Sequence, residues 1–81
     1  MSEYWNESSN GYSWINGTLS QKNALCVALA ESSKNDCSSN YFADFFDNFY
    51  GSEATNKTLI NEAAIMAEEG SKALPVKLRN Y

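Results

Sequence analysis

The chain contains no histidine. That removes the commonest general base and the commonest transition-metal ligand. It has two cysteines, Cys26 and Cys37, one proline and four scattered glycines. Two thiols without further Cys or His cannot close a structural zinc site, and no glycine-rich loop is present to cradle phosphates. Long apolar runs are missing as well. The longest, Ala24 to Ala30, falls far short of a membrane span and is preceded by no basic leader. With Met1-Ser2-Glu3 opening acidic, the expectation is a cytoplasmic protein whose thiols stay reduced.

Positive charge is also scarce. Six Lys and Arg stand against ten carboxylates, a net charge of −4 with a pI near 4.5. Phosphate backbones and anionic membranes would repel such a surface, so neither is an expected direct partner. The imbalance is uneven: residues 1–69 hold three Lys against all ten carboxylates (−7), whereas residues 70–81 hold Lys72, Lys77 and Arg79 with no acid (+3). The simplest consequence is a basic tail attracted to its own acidic body.

The remaining ionisable groups build no recognisable chemistry. Glu68 and Glu69 are adjacent and diverge by about 100° on a helix, so they form no paired carboxylate site. Asp44 and Asp47 share a helix face that reads as a solvated one. Cys26 lies in the apolar run and reads as a small core residue. Cys37 precedes a helix, where free N–H groups could activate its thiol, but no base is available to serve it. A Cys26–Cys37 bridge is geometrically allowed and disfavoured by a reducing compartment. No catalytic, cofactor-binding or metal-ligating residue is nominated, and the expectation is that the chain is not an enzyme.

What is present is aromatic. The chain is 43% hydrophobic and 14% aromatic over 81 residues, enough for one globular domain whose core is small. Six of the eleven aromatic residues fall between Tyr41 and Tyr50. At 3.6 residues per turn, Phe42, Phe45, Phe46 and Phe49 share one face, Tyr41 and Tyr50 flank it, and Asp44, Asp47 and Asn48 lie opposite. The chain is organised around this amphipathic helix.

The expected fold is mainly α: a three-helix domain with helices at about 18–33, 38–50 and 55–70. Residues 1–17 form an aromatic arm, 18–74 the helical body and 75–81 a short, extended basic tail. In the arm, Tyr4 and Trp5, then Tyr12, Trp14 and Ile15, flank Asn10-Gly11, a dipeptide favoured in two-residue hairpin turns. A short hairpin and an irregular segment pinned by its two Trp both fit. Thr18-Leu19-Ser20-Gln21 is a capping box that opens the first helix. Its run from Asn23 to Ala30 is apolar almost all round, as in a helix buried between neighbours; a buried strand is the alternative, opposed by its Ala and Leu content. Residues 36–39 offer N-caps for the aromatic helix and Gly51 a stop. Leu59, Ile60, Ala63, Ala64 and Ala67 stripe the third helix, where small alanines suit the bulky Phe face. Gly70 and Pro75 then end it.

Such an aromatic load exceeds what a three-helix core readily hides, which points to a protein-binding module, an inhibitor or regulator acting by occlusion. The candidate contacts are Tyr4, Trp5, Tyr12, Trp14, Tyr41, Tyr50 and Tyr81, with Asp44 and Asp47 offering charge to a basic partner such as a nucleic-acid-processing enzyme. Partial mimicry of nucleic acid is a narrower form of this reading, though thinly supplied with acids. A second class is a structural subunit or assembly factor whose aromatic face is buried in an oligomer. A helix-turn-helix regulator is disfavoured, since no expected helix carries a basic reading face. In general style the chain resembles the small acidic proteins that bacteriophages and mobile elements direct against host enzymes or defence systems. No residue-level motif carries that likeness, so no site is transferred from it.

Overall fold

The computed structural model describes residues 4–81, and the acidic opening at Met1–Glu3 lies outside them. The chain is mainly helical, and its helices begin where side-chain caps permit. Thr18 caps the longest, α2 (Leu19–Glu31). Its hydroxyl accepts from the Gln21 N–H at 3.1 Å while the Gln21 side chain accepts from the Thr18 N–H at 2.9 Å. This is the reciprocal arrangement the sequence spells out. The helix before it, α1 (Gly11–Asn16), is not in the sequence-based scheme. Asn10 does not enter a hairpin turn; its Oδ1 accepts from the N–H groups of Tyr12 and Ser13, and Ser13 Oγ accepts from the Asn10 N–H. An Asn so placed satisfies two orphan donors, which a tight turn would not require. Among the described residues the one strand-like pairing is an isolated antiparallel bridge, Asn10 with Leu59.

Helix α3 (Ser39–Phe49) is the aromatic helix, capped by Ser38 Oγ on the Tyr41 N–H at 3.2 Å. Gly51 turns the chain away from it at φ 142°, a conformation that side chains resist. A four-residue helix, α4 (Glu53–Asn56), follows under a Ser52 cap. Because this turn takes up residues 53–56, α5 (Ile60–Ser71) starts at the head of the apolar stripe and later than the expected bound of about 55. Gly70 lies inside its last turn. After Pro75 the tail is not extended: Val76–Leu78 winds into one 3₁₀ turn.

Helix α3 is the spine. Phe42 and Phe46 are fully buried, with Ala63, Ala64 and Ala67 of α5 in the same core, the large-against-small pairing expected. Its major partner is α2, which packs on it more extensively than α5 does. On another side α1 closes the core with Trp14, whose ring lies 4.9 Å from Phe46. The expectation that α2 is buried between neighbours is overturned: only Cys26 on it is fully buried, and Ala24, Val27 and Ala28 face water. Its reason is topological. α2 packs on α3, while α2 and α5 make no comparable contact with each other, so α2 has one well-packed side. The molecule is correspondingly slab-like, with extents of 30 × 29 × 19 Å.

Polar side chains tie the ends. Glu68 on α5 accepts from Ser33 Oγ and from the N–H groups of Lys34 and Asn35, while Asn35 Nδ2 donates to the Glu68 carbonyl at 2.9 Å. The α2–α3 loop, which includes a left-handed Asp36, is thereby pinned to α5. The tail is held the same way. The Ser38 N–H donates to the Arg79 carbonyl at 2.8 Å, and Asn40 Nδ2 to the Tyr81 carbonyl at 2.9 Å. Arg79 donates to the Asn35 and Leu74 carbonyls. The tail is thus seated mainly by hydrogen bonds to neutral groups, with one carboxylate, Asp44, accepting from Tyr81 OH. Among the described residues the one ion pair is Lys72–Glu69, both exposed.

Candidate functional site

Two of the depressions on the slab have a partly apolar lining and flank α3. One is a groove of about 450 Å³ between α2 and α5. Phe42 forms its floor, Leu29 one wall and Ala64 with Ile65 the other; Lys34 and Glu69 stand at the rim. Ile65 is 63% exposed. One and two turns along α3, Phe45 and Phe49 continue the row begun by Phe42, half-buried and stacked at 5.4 Å. The groove lies where the two flanking helices pack on α3 more than on each other, and its apolar lining combines Phe42 of α3 with Leu29, Ala64 and Ile65.

The second depression, about 250 Å³, lies where α1 and the start of α2 approach α3. Trp14, Cys26 and Ala43 line it, with Lys22 and Asp47 beside them. Leu19 stands on its border, 85% exposed. The Lys22 ammonium lies 5.2 Å from the Trp14 ring centroid, a cation–π distance, and among the described residues no carboxylate is within ion-pair range of it. Burial, reinforced by the charge of Asp47, pushes the Cys26 thiol up to about 12. It is a neutral wall at physiological pH.

The residues nominated from sequence divide sharply. Trp14 (2% exposed), Tyr41 (9%) and Tyr50 (5%) belong to the core, which corrects their assignment as surface contacts. Each buries its ring and finds a polar partner for its tip: Trp14 Nε1 donates to Asp47 at 3.0 Å, Tyr41 OH to the Ala67 carbonyl at 2.6 Å, Tyr50 OH to the Thr58 carbonyl at 2.9 Å. Burial pushes both phenols above their ordinary range, Tyr50 to about 12. Tyr4 and Trp5 are half-buried and tied down, Tyr4 OH to the Ser13 carbonyl and Trp5 Nε1 to the Gln21 carbonyl. The arm is therefore neither a hairpin nor irregular throughout: residues 11–16 are helical, and the stretch before them is tied down by Tyr4 and Trp5. Tyr12 and Tyr81 are exposed. Asp44 and Asp47 are not idle: Asp44 accepts from Tyr81 OH and Asp47 from Trp14. The hydrogen bond to Asp44 is the main reason the Tyr81 phenol is pushed up to about 12.

Cys37 is 3% exposed, and both cysteines are free thiols. Among the described residues no group of three or more His, Cys, Asp or Glu could hold a metal ion. No helix among them is long and apolar enough to cross a membrane.

Sequence reasoning missed Leu19 and Ile65. A signal was available for both. Ile65 is a large apolar residue outside the Ile60–Ala63–Ala64–Ala67 stripe, and Leu19 occupies the first turn of a helix whose buried face begins later. Comparison with family models, with characterised proteins and with solved structures returns no match.

Proposed function

We propose that the protein is a small non-enzymatic binding module that occludes a partner protein by taking an amphipathic helix of that partner into the groove between α2 and α5. The carrying observation is that groove: an apolar floor and walls with a polar rim, open between two helices that share α3 as a neighbour and pack little on each other. A helix is about 10–12 Å across with its side chains, so one can lie over α3 and present an i, i+3, i+4, i+7 stripe to Phe42, Leu29 and Ile65. Such an occupant would give α2 and α5 the neighbour each lacks there.

Charge narrows the partner. The chain is net negative, and apart from Glu69 no described carboxylate has a cation within ion-pair distance. An acidic surface of this kind speeds encounter with a basic one and opposes nucleic acid itself. An inhibitor or regulator of an enzyme with a basic surface, in the style of phage and mobile-element inhibitors, is the form this reading takes. Mimicry of nucleic acid receives less support, since ten carboxylates against six Lys and Arg are few for a phosphate mimic.

The test is affinity capture from the cells that make the protein, followed by reconstitution with the purified partner. A stoichiometric complex is expected, and Ile65→Glu should abolish it while leaving the melting temperature unchanged. A complex that forms equally well with Ile65→Glu, or no stoichiometric protein partner at all, would sink the proposal.

A further inference from the structure

The second depression has a different character from the groove, and no residue lines both. It carries a knob and a hole on one face. The knob is Leu19, the most exposed large apolar side chain described, held on the rigid first turn of a capped helix. The hole, about 250 Å³, borders it, with Trp14, Cys26 and Ala43 as its apolar lining and Asn23, Ser39 and Asn40 as polar lining. Lys22 and Asp47 lie within the same face, opposite in sign and outside ion-pair distance of each other.

We infer that this face pairs with a second copy of the same chain about a two-fold axis. An isologous interface must be complementary to itself, so that whatever one copy offers its partner it must also receive. A surface of one charge sign fails that condition by repelling its own copy, and a bare apolar knob fails it for want of a cavity. Here both conditions are met. Leu19 of each copy enters the hole of the other, and Lys22 of each meets Asp47 of the other. The exposure of Leu19, which the fold of the single chain leaves unexplained, is then accounted for. A partner of another kind would have to supply a leucine-sized knob, a leucine-sized hole and one charge of each sign in matching positions. A second copy supplies all of them without further assumption.

Nothing in this depends on the groove proposal. Pairing through the Leu19 face uses none of the groove residues, so each copy keeps its own groove available.

Sedimentation equilibrium on the full chain from about 1 µM to 1 mM tests the inference, with three variants beside the parent. The parent should show a reversible monomer–dimer equilibrium. Leu19→Asp, changed in both copies at once, should raise the dissociation constant by about a hundredfold or more while the thermal melt of dilute protein stays that of the parent. Lys22→Glu should weaken pairing by about tenfold, because two carboxylates then face each other across the axis. Ile65→Asp, in the groove, should pair as the parent does. A parent that is monomeric at 1 mM overturns the inference. So does a dimer that survives Leu19→Asp, or one that Ile65→Asp breaks instead; the last outcome would place the interface in the groove.

Discussion

Adding one methyl group at Gly11 should reveal how closely α1 is pressed into the body. A Cβ built there would stand 2.3 Å from Cδ1 and 2.7 Å from Cε1 of Tyr50, and 2.7 Å from the Cα of Asn56. Carbon atoms in contact need about 3.5–4.0 Å, so two neighbours must each retreat by about an ångström. Neither is free to do so. Tyr50 is buried and its hydroxyl is bonded to the Thr58 carbonyl, while the Asn56 side chain, itself buried, accepts from the Gly51 N–H at 2.8 Å. Overpacking of this sort costs about 1–3 kcal/mol, more when backbone must shift. Replacing a helical Gly by Ala returns about 0.5–1 kcal/mol. The net expectation for Gly11→Ala is a loss of about 2 kcal/mol, or roughly 8–16 °C in melting temperature for a domain of this size. Gly70 supplies the internal control, because a Cβ there meets nothing within 4 Å. Gly70→Ala should therefore stabilise by about 0.5–1 kcal/mol. Urea melts followed by far-ultraviolet circular dichroism measure both. Equal effects of the two substitutions, or a stabilised Gly11→Ala, would refute the close approach of α1 to Tyr50 and α4.

Phe46→Ala should cost about 3–5 kcal/mol, since the ring is fully enclosed, whereas Phe45→Ala, at a half-buried position, should cost about half as much; paired chemical melts separate them, and equal losses would mean that the register of α3 is wrong. Tyr41→Phe should cost about 1–2 kcal/mol by stranding the Ala67 carbonyl that its hydroxyl serves at 2.6 Å. Stability should be flat through neutral pH and fall in alkali. Cys26 and Tyr50 have pKa values raised in the folded state from 9.0 and 10.0 to about 12, so the unfolded chain ionises first and the loss runs from about pH 9 to 12. Cys26→Ala should move the onset of that loss upward by removing the group that titrates earliest; an unchanged onset would show that the thiol is not the first group to respond.

The helices were legible where capping chemistry and an apolar period coincided. Thr18 with Gln21 marks the start of α2, and the Phe42–Phe46 face marks the buried side of α3. Legibility failed where a single residue type serves two purposes. Asn10-Gly11 suits a hairpin turn, yet the Asn caps a helix and the Gly is needed for lack of a side chain against Tyr50. The chain caps a short α4 at Ser52 and begins α5 only after Leu59, where the sequence pattern predicts one helix at about 55–70. The aromatic surplus misled for a related reason. Counting rings against core volume treats Tyr and Trp as surface residues, but Trp14, Tyr41 and Tyr50 are buried rings whose polar tips reach a carboxylate or a carbonyl. Burial of that kind depends on tertiary neighbours that no local pattern records. Apart from Tyr12 and Tyr81 the exposed large apolar side chains are not aromatic, and the exposure of α2 depends on its having a single major neighbour, a property of topology.

That topology also explains how so small a domain leaves apolar surface open. A closed three-helix bundle would bury α2 on two sides, and the Ala-rich run from Asn23 to Ala30 is suited to that. Here the cohesion that such burial would contribute is partly replaced by hydrogen bonds. Glu68 gathers three donors from the α2–α3 loop, and the tail closes against the start of α3 through Ser38, Asn40 and Arg79. Each such bond adds only about 0.5–1.5 kcal/mol net, but most cross between elements distant in sequence and fix their relative placement. With α5 and the tail held in this way, α2 need not fold over to meet α5, and the groove above Phe42 stays open. The groove and the Leu19 knob then carry little of the fold's own stability. Substitutions at Ile65 and Leu19 should therefore be silent in melting experiments and visible only in association, whereas Phe42 and Glu68, which belong to both the groove and the framework, should register in both.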